Sequence, residues 1–206
     1  MFRTPIGLIG FGLLLSVAYP LAALSAARQP AAVVDGFHDI LTDAMTRSAK
    51  LGCEGRIKLV APAVDQTFDL PFLTERTLRR AWKTLSEPQR TTFAAALRTS
   101  VITTYATEFS QAGSVQFTIG TTETLASGDA VVHAVLIPRQ GSPVTLDYVL
   151  KPRGESWQVV NVLAEGVSDL ALRATQYDGL IKDQGFEALI ARLDAQTQKL
   201  KGRCRS

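Results

Sequence analysis

The chain has 206 residues, 46% of them hydrophobic and 20% charged, with 22 Lys and Arg against 19 Asp and Glu for a formal net charge of +3. This is the composition of a globular chain with room for one substantial core, not of a disordered or fibrous one. The basic residues are scattered, so the dense cationic patch that nucleic acid rewards is missing, and two cysteines plus two distant histidines without a Cys-x-x-Cys make a poor metal or cofactor site.

Residues 1–27 carry the three parts of a secretory signal: Arg3, the apolar run Ile6–Ala18, and a small-residue exit through Ala22, Ala23, Ser25, Ala26 and Ala27. The run is shorter than the ~20 residues a membrane-spanning helix needs. Cleavage is expected to deliver residues 28–206 as one exported domain. In an oxidising compartment Cys53 and Cys204 are candidates for a disulfide; a free Cys204 in a loose polar tail is the alternative.

Val34, Phe37, Leu41, Ala44 and Met45 recur at helical spacing and predict an amphipathic helix from Val33 to Ala49. Gly52 and Gly55 loosen the chain, a second helix is expected from Arg56 to Phe68 with Pro62 as a kink or restart, and residues 69–74 read as a connector. Thr74 can cap a helix through Trp82. Ser86 and Gln89 form a capping box for the longest helix, which runs to Gln111 with Phe93, Leu97, Val101, Tyr105 and Phe109 on one stripe.

The period then changes from helical to alternating. Four strands are expected: Val115–Ile119, Ala130–Pro138, Val144–Lys151 and Ser156–Ala164, joined by short polar turns that imply an antiparallel meander. Val131–Ile137 and Trp157–Leu163 are apolar almost throughout, which predicts strands covered on both faces or wrapped around something apolar. Ser168 can cap a helix to Gln184, and Phe186–Leu200 forms a last helix after Gly185. The fold class is therefore α+β: N-terminal helices, a curved four-stranded antiparallel sheet in a cone-like arrangement of the NTF2 or cystatin kind, and a C-terminal helix pair.

Four segments carry a resemblance: Ser156–Asp169 (SWQVVNVLAEGVSD), Ala171–Leu193 (ALRATQYDGLIKDQGFEALIARL), Phe93–Ser110 (FAAALRTSVITTYATEFS) and Thr145–Lys151 (TLDYVLK). In that order they resemble the MlaC/toluene-tolerance family of periplasmic lipid-binding proteins, over about residues 33–195. The middle part, Leu59–Leu85, which opens with the run Leu59–Leu73, is most similar to the hopanoid biosynthesis-associated branch. The chain departs from the family pattern at Asn161, where Asp is common, and at Leu172, where an aromatic is common. The resemblance implies a non-enzymatic periplasmic carrier of phospholipid or a hopanoid-type lipid. Its partners would be an inner-membrane ABC-type lipid transporter complex and an outer-membrane lipid-handling complex.

Such a carrier must enclose its cargo, since two acyl chains with ~30 methylenes lose more than ~20 kcal/mol when moved into water. Candidate lipid-binding residues are Phe93, Leu97, Val101 and Tyr105 on the long helix, and Val135, Tyr148, Val160 and Val162 on the strands. Val167, Leu172 and Tyr177 beyond the strands, with Phe72 and Trp82 before the long helix, complete the set. Ordinary core packing explains each of them equally well. Glu165 is expected to orient Arg173 or to cap the helix that follows. Two rivals stand beside the carrier: an enzyme on the same cone, with Asp147 beside Tyr148 as its only acid-base hint, and an interaction module whose interior is filled by its own side chains.

Overall fold

The computed structural model describes residues 29–205, so the expected signal, residues 1–27, lies outside the described residues. Among the described residues, seven helices and five strands follow one another in the order helices, sheet, helices: α1 Pro30–Thr46, α2 Ser48–Thr67, α3 Leu70–Leu78, α4 Arg80–Thr84, α5 Glu87–Glu108, β1 Val115–Thr124, β2 Ala130–Pro138, β3 Val144–Arg153, β4 Ser156–Ala164, β5 Val167–Ser168, α6 Asp169–Gln184 and α7 Phe186–Arg205. Among the described residues no helix is long and apolar enough to cross a membrane.

The α+β class and the meander agree with the expectation. The strands form one antiparallel sheet in the order β1-β2-β3-β4-β5. The sheet has five strands rather than four, because the Glu165-Gly166 turn, with φ of 50° and 75°, folds Val167 and Ser168 back onto Leu163 and Ala164. Both turn residues are left-handed, as a two-residue type I′ hairpin requires, and glycine supplies the second without strain.

Helix breaks agree with the sequence in part. Pro62 is accommodated inside α2, and the kink lies at Gly52, one of the two glycines expected to loosen the chain, whose φ of +59° belongs to no helix. Residues 69–74 are not a connector, since Asp69 caps α3 by accepting from the Phe72 N–H. The Ser86–Gln89 capping box starts α5, and Ser168 caps α6 through the Ala171 N–H. The last helix extends five residues past Leu200, to Arg205, so Cys204 is helical rather than in a loose tail. Its Sγ is bonded to that of Cys53 on α2, with Cα atoms 5.4 Å apart.

The helices pack on one face of the sheet, α1 against β1, β2 and β4, and α2, α3 and α6 against β4. Burial alternates accordingly on β2: Ala130, Val132 and Ala134 are buried, whereas Val131, His133 and Val135 are half-buried and Ile137 is 39% exposed. The apolar run of β2 is thus covered on one face only. On β4 the cause is different. A bulge opposite Val149 and Leu150 inserts Val160 into the pairing, so Val159 faces the same side as Val162, three residues on. Without the extra residue the two would point to opposite faces.

Two apolar clusters result. The larger joins α1 and α2 to the inner face of the sheet through Val34, Phe37, Leu41, Val60, Val64, Tyr148 and Val159. The smaller joins α3, α5, α6 and α7 through Leu78, Phe93, Leu97, Tyr177, Leu189 and Leu193. Val101 packs against both.

Candidate functional site: a cavity at the seam of two clusters

A cavity of about 220 Å³ opens between α3, α5, β4 and α6, where the two clusters meet. Leu73 on α3, Leu97, Val101 and Tyr105 on α5, Val159 and Val162 on β4, and Leu170 on α6 give it an apolar wall. Phe68, just before α3, closes the inner end; its neighbour Asp69 donates its N–H to the Val159 carbonyl, 3.0 Å away, which pins the α2–α3 corner to β4.

The charged part of the wall is confined to one side, and Thr77 and Thr104 add hydroxyls from α3 and α5. Asn161 and the first turn of α6 bring together a carboxamide, the Asp169 carboxylate and the Arg173 guanidinium. Arg173 Nε donates to Asp169 Oδ2 at 2.6 Å across one helical turn, and Nη1 reaches the Tyr177 hydroxyl at 3.4 Å. Burial acts to lower the Arg173 pKa, but the attraction and hydrogen bond of Asp169, helped by Tyr177, outweigh it and raise the value above the ordinary one. Burial likewise pushes the Tyr105 phenol up, and the nearby Asp169 charge adds to the effect. Both groups therefore hold fixed charge states, a lasting cation and a neutral hydroxyl, against an apolar wall.

Of the thirteen residues singled out from the sequence, the structure brings Leu97, Val101, Tyr105 and Val162 into this wall. Phe93 and Tyr177 meet edge to face at 5.9 Å inside the smaller cluster. Tyr148 lies beneath α1, its hydroxyl 2.9 Å from His38 Nε2. Val160 is buried at the bulge, and Val135 is on the outer face of the sheet. Phe72 and Trp82 line a separate open groove beside α3 and α5, with Arg76 over the Phe72 ring and Arg90 over the Trp82 ring. Val167 and Leu172 are 53% and 50% exposed.

Glu165 neither meets Arg173 nor caps α6; its carboxylate accepts from the backbone N–H and hydroxyl of Thr145. Asp147 and Tyr148 point to opposite faces of β3, so they do not act together; Asp147 pairs instead with His133 at 2.7 Å on the outer face, away from the cavity. Sequence reasoning passed over Asp169, Thr77 and Thr104 as wall residues. The signal for the first was present, an Asp and an Arg four apart at the start of a helix that follows an apolar strand.

Fold and cavity define the class: an α+β domain whose helices and β4, near one edge of the sheet, surround a largely apolar cavity. The chain belongs to the MlaC family, whose model, described as MlaC protein, matches residues 33–195. Among solved structures it is similar to a phospholipid-binding protein from Ralstonia solanacearum in complex with a phospholipid. That match has a TM-score of 0.72 at 20% identity, covering 85% of this chain and 99% of the other. No curated protein matches the chain.

Proposed function

We propose that this protein is an exported lipid carrier, not an enzyme. It holds the tails of a phospholipid in the cavity between α3, α5, β4 and α6 and shuttles the lipid between membranes. The observation that carries the reading is the position of that cavity at the seam of two separately packed clusters. At about 220 Å³ it is smaller than the ~300–1,000 Å³ of pockets that hold drug-sized ligands. Two acyl chains therefore require the seam to part, and a seam can part while each cluster keeps its own contacts.

Family membership and the phospholipid bound to the Ralstonia solanacearum protein support the same cargo class. In this reading the expected signal at residues 1–27 sends residues 28–206 to the periplasm. An inner-membrane ABC-type transporter complex and an outer-membrane complex are the donor and acceptor. The test is native mass spectrometry of protein purified from the periplasm, followed by solvent extraction. A co-purified lipid of defined mass is the expected result, and its mass separates a glycerophospholipid from a hopanoid-type polycycle. Protein that stays lipid-free, even after incubation with phospholipid vesicles, overturns the proposal.

A further inference from the structure

Arg56 on α2 is a buried cation whose hydrogen-bond partners include no carboxylate. The residue is 5% exposed. Among the described residues Nε donates to the Ala106 carbonyl, Nη1 to the Ser48 carbonyl and Nη2 to Cys204 Sγ, the last at 3.0 Å. Arg173 shows the usual arrangement, in which the Asp169 carboxylate more than offsets burial and raises the pKa. At Arg56 burial is not offset, and the pKa is lowered. A buried cation is costly unless an anion meets it, and a disulfide sulfur is only a weak acceptor. Of the three partners, Cys204 alone can become an anion, and it does so only when its bond to Cys53 is open.

The two sulfurs are not equivalent. Cys53 is 7% exposed, whereas Cys204 is half-buried in the last turn of α7, so an external reagent reaches Cys204 first. We infer that Cys204 is the entry thiol for an external disulfide, held as a thiolate by Arg56, and that Cys53 is the thiol that resolves the mixed disulfide into the bridge. The co-reactant is a disulfide-bearing oxidant. Cys204 Sγ attacks one of its sulfurs, the S–S bond breaks, and the departing thiolate takes up a proton. Cys53 then loses its proton to water and attacks Cys204 Sγ, which expels the second thiolate of the oxidant. Two thiols are oxidised and one disulfide is reduced. Other charges nearby do not replace Arg56. Lys50 and Glu54 flank Cys53 on α2 and are exposed, Lys201 on α7 is half-buried, and Arg203 pairs with Glu108 at the end of α5 at 3.0 Å. The carbonyl end of α7 disfavours a thiolate, but that field is weak at a solvated helix end, whereas the guanidinium touches the sulfur. The inference goes beyond the carrier reading and shares with it only the expected export to an oxidising compartment.

The experiment takes mature wild-type protein, reduced and freed of reductant, and pulses it with iodoacetamide across a range of pH. Mass spectrometry of the peptides reads Cys53 and Cys204 separately. Cys204 is expected to be modified first, with a midpoint at least one pH unit below the ~8.5 of an ordinary cysteine, and in concentrated urea the midpoint returns to the ordinary value. That comparison needs no variant at position 56. In Arg56→Gln, with its fold checked by circular dichroism, the midpoint of Cys204 rises to the ordinary value or above, and in Arg56→Lys it is intermediate. Oxidised glutathione is the second probe. A thiol pKa one unit lower gives up to about tenfold more thiolate at neutral pH, of which its weaker nucleophilicity returns about threefold. Cys53→Ser is therefore expected to form a mixed disulfide at Cys204 at least about threefold faster than Cys204→Ser forms one at Cys53, and burial of Cys53 widens the gap. A Cys204 midpoint in the folded protein at or above the urea value, or one unmoved in folded Arg56→Gln, overturns the inference. So does a mixed disulfide that forms faster at Cys53. None of these measurements involves lipid, so they leave the carrier reading to its own test.

Discussion

Asp69 and Arg153, 84 residues apart, share one carboxylate with the start of a helix: Oδ1 accepts from the Phe72 N–H at 3.0 Å and Oδ2 from Arg153 Nε at 2.7 Å. The Asp69 side chain is only 8% exposed, so this carboxylate both caps α3 and ties a wall of the cavity to the end of β3. Asp69→Asn keeps an acceptor for the cap and gives up the charge. Asp69→Ala gives up both and leaves a half-buried N–H without its acceptor, so it is expected to cost about 1–3 kcal/mol, roughly twice the Asn variant. Urea unfolding measures both; equal losses would show that the cap contributes nothing.

His38 gives the fold a pH dependence of known sign. It is 3% exposed, stacked on Phe117 at 4.1 Å and bonded to the Tyr148 hydroxyl, and burial lowers its pKa from 6.5 to about 4. The folded protein thus keeps the ring neutral where the unfolded chain binds a proton. Its contribution is intact above pH 6.5 and is lost as pH falls from there toward 4, at up to about 1.4 kcal/mol per unit. His38→Phe, which keeps an aromatic against Phe117, is expected to flatten the stability profile in that window. A profile of unchanged slope between pH 6.5 and 4 would remove His38 as its source.

Most of the elements were legible because their signals are local. The Ser86–Gln89 box, the Ser168 cap and the turns between strands each depend on a few neighbouring residues, and the structure has them where the sequence put them. What was not legible depends on pairing across the sheet. The β4 bulge at Val160 decides that Val159 and Val162 face the cavity together, and a period-two reading places them on opposite faces. Phe72 and Trp82 read from the sequence as lipid contacts, whereas the structure sets them on a separate groove beside α3 and α5. The sequence offers Glu165 either Arg173 or the start of α6 as its partner. The I′ turn directs Glu165 toward Thr145, which leaves Asp169, one helical turn earlier, as the partner of Arg173.

The Cys53–Cys204 bond closes a loop with a sequence separation of 151 and joins the end of α7 to α2 just beyond the Gly52 kink. A cross-link over so long a loop restricts the unfolded chain strongly and is expected to contribute about 2–4 kcal/mol. Arg56 adds a local tie, donating from Nη2 to Cys204 Sγ and from Nε to the Ala106 carbonyl on α5. Cys204→Ser is therefore expected to lower the melting temperature by several degrees, and reductant should lower the wild type to the same value while leaving the variant unmoved. A wild type insensitive to reductant would mean that the bridge does not form in solution.

Val101 is the residue through which cavity volume and stability can be separated. It lines the cavity and packs against both clusters from the middle of α5, so a larger side chain there extends into space that is already open. Overpacking a filled core costs about 1–3 kcal/mol; at the edge of a cavity of about 220 Å³ the added atoms gain contacts instead of displacing neighbours. Val101→Phe is expected to keep the melting temperature within a few degrees of the wild type while reducing the lipid recovered by solvent extraction by about tenfold or more, since each methylene excluded forfeits ~0.8 kcal/mol of burial. Val135→Phe, on the outer face of the sheet, is the matched control and should leave the recovered lipid unchanged. If Val101→Phe folds normally and carries as much lipid as the wild type, the tails are held somewhere other than the seam.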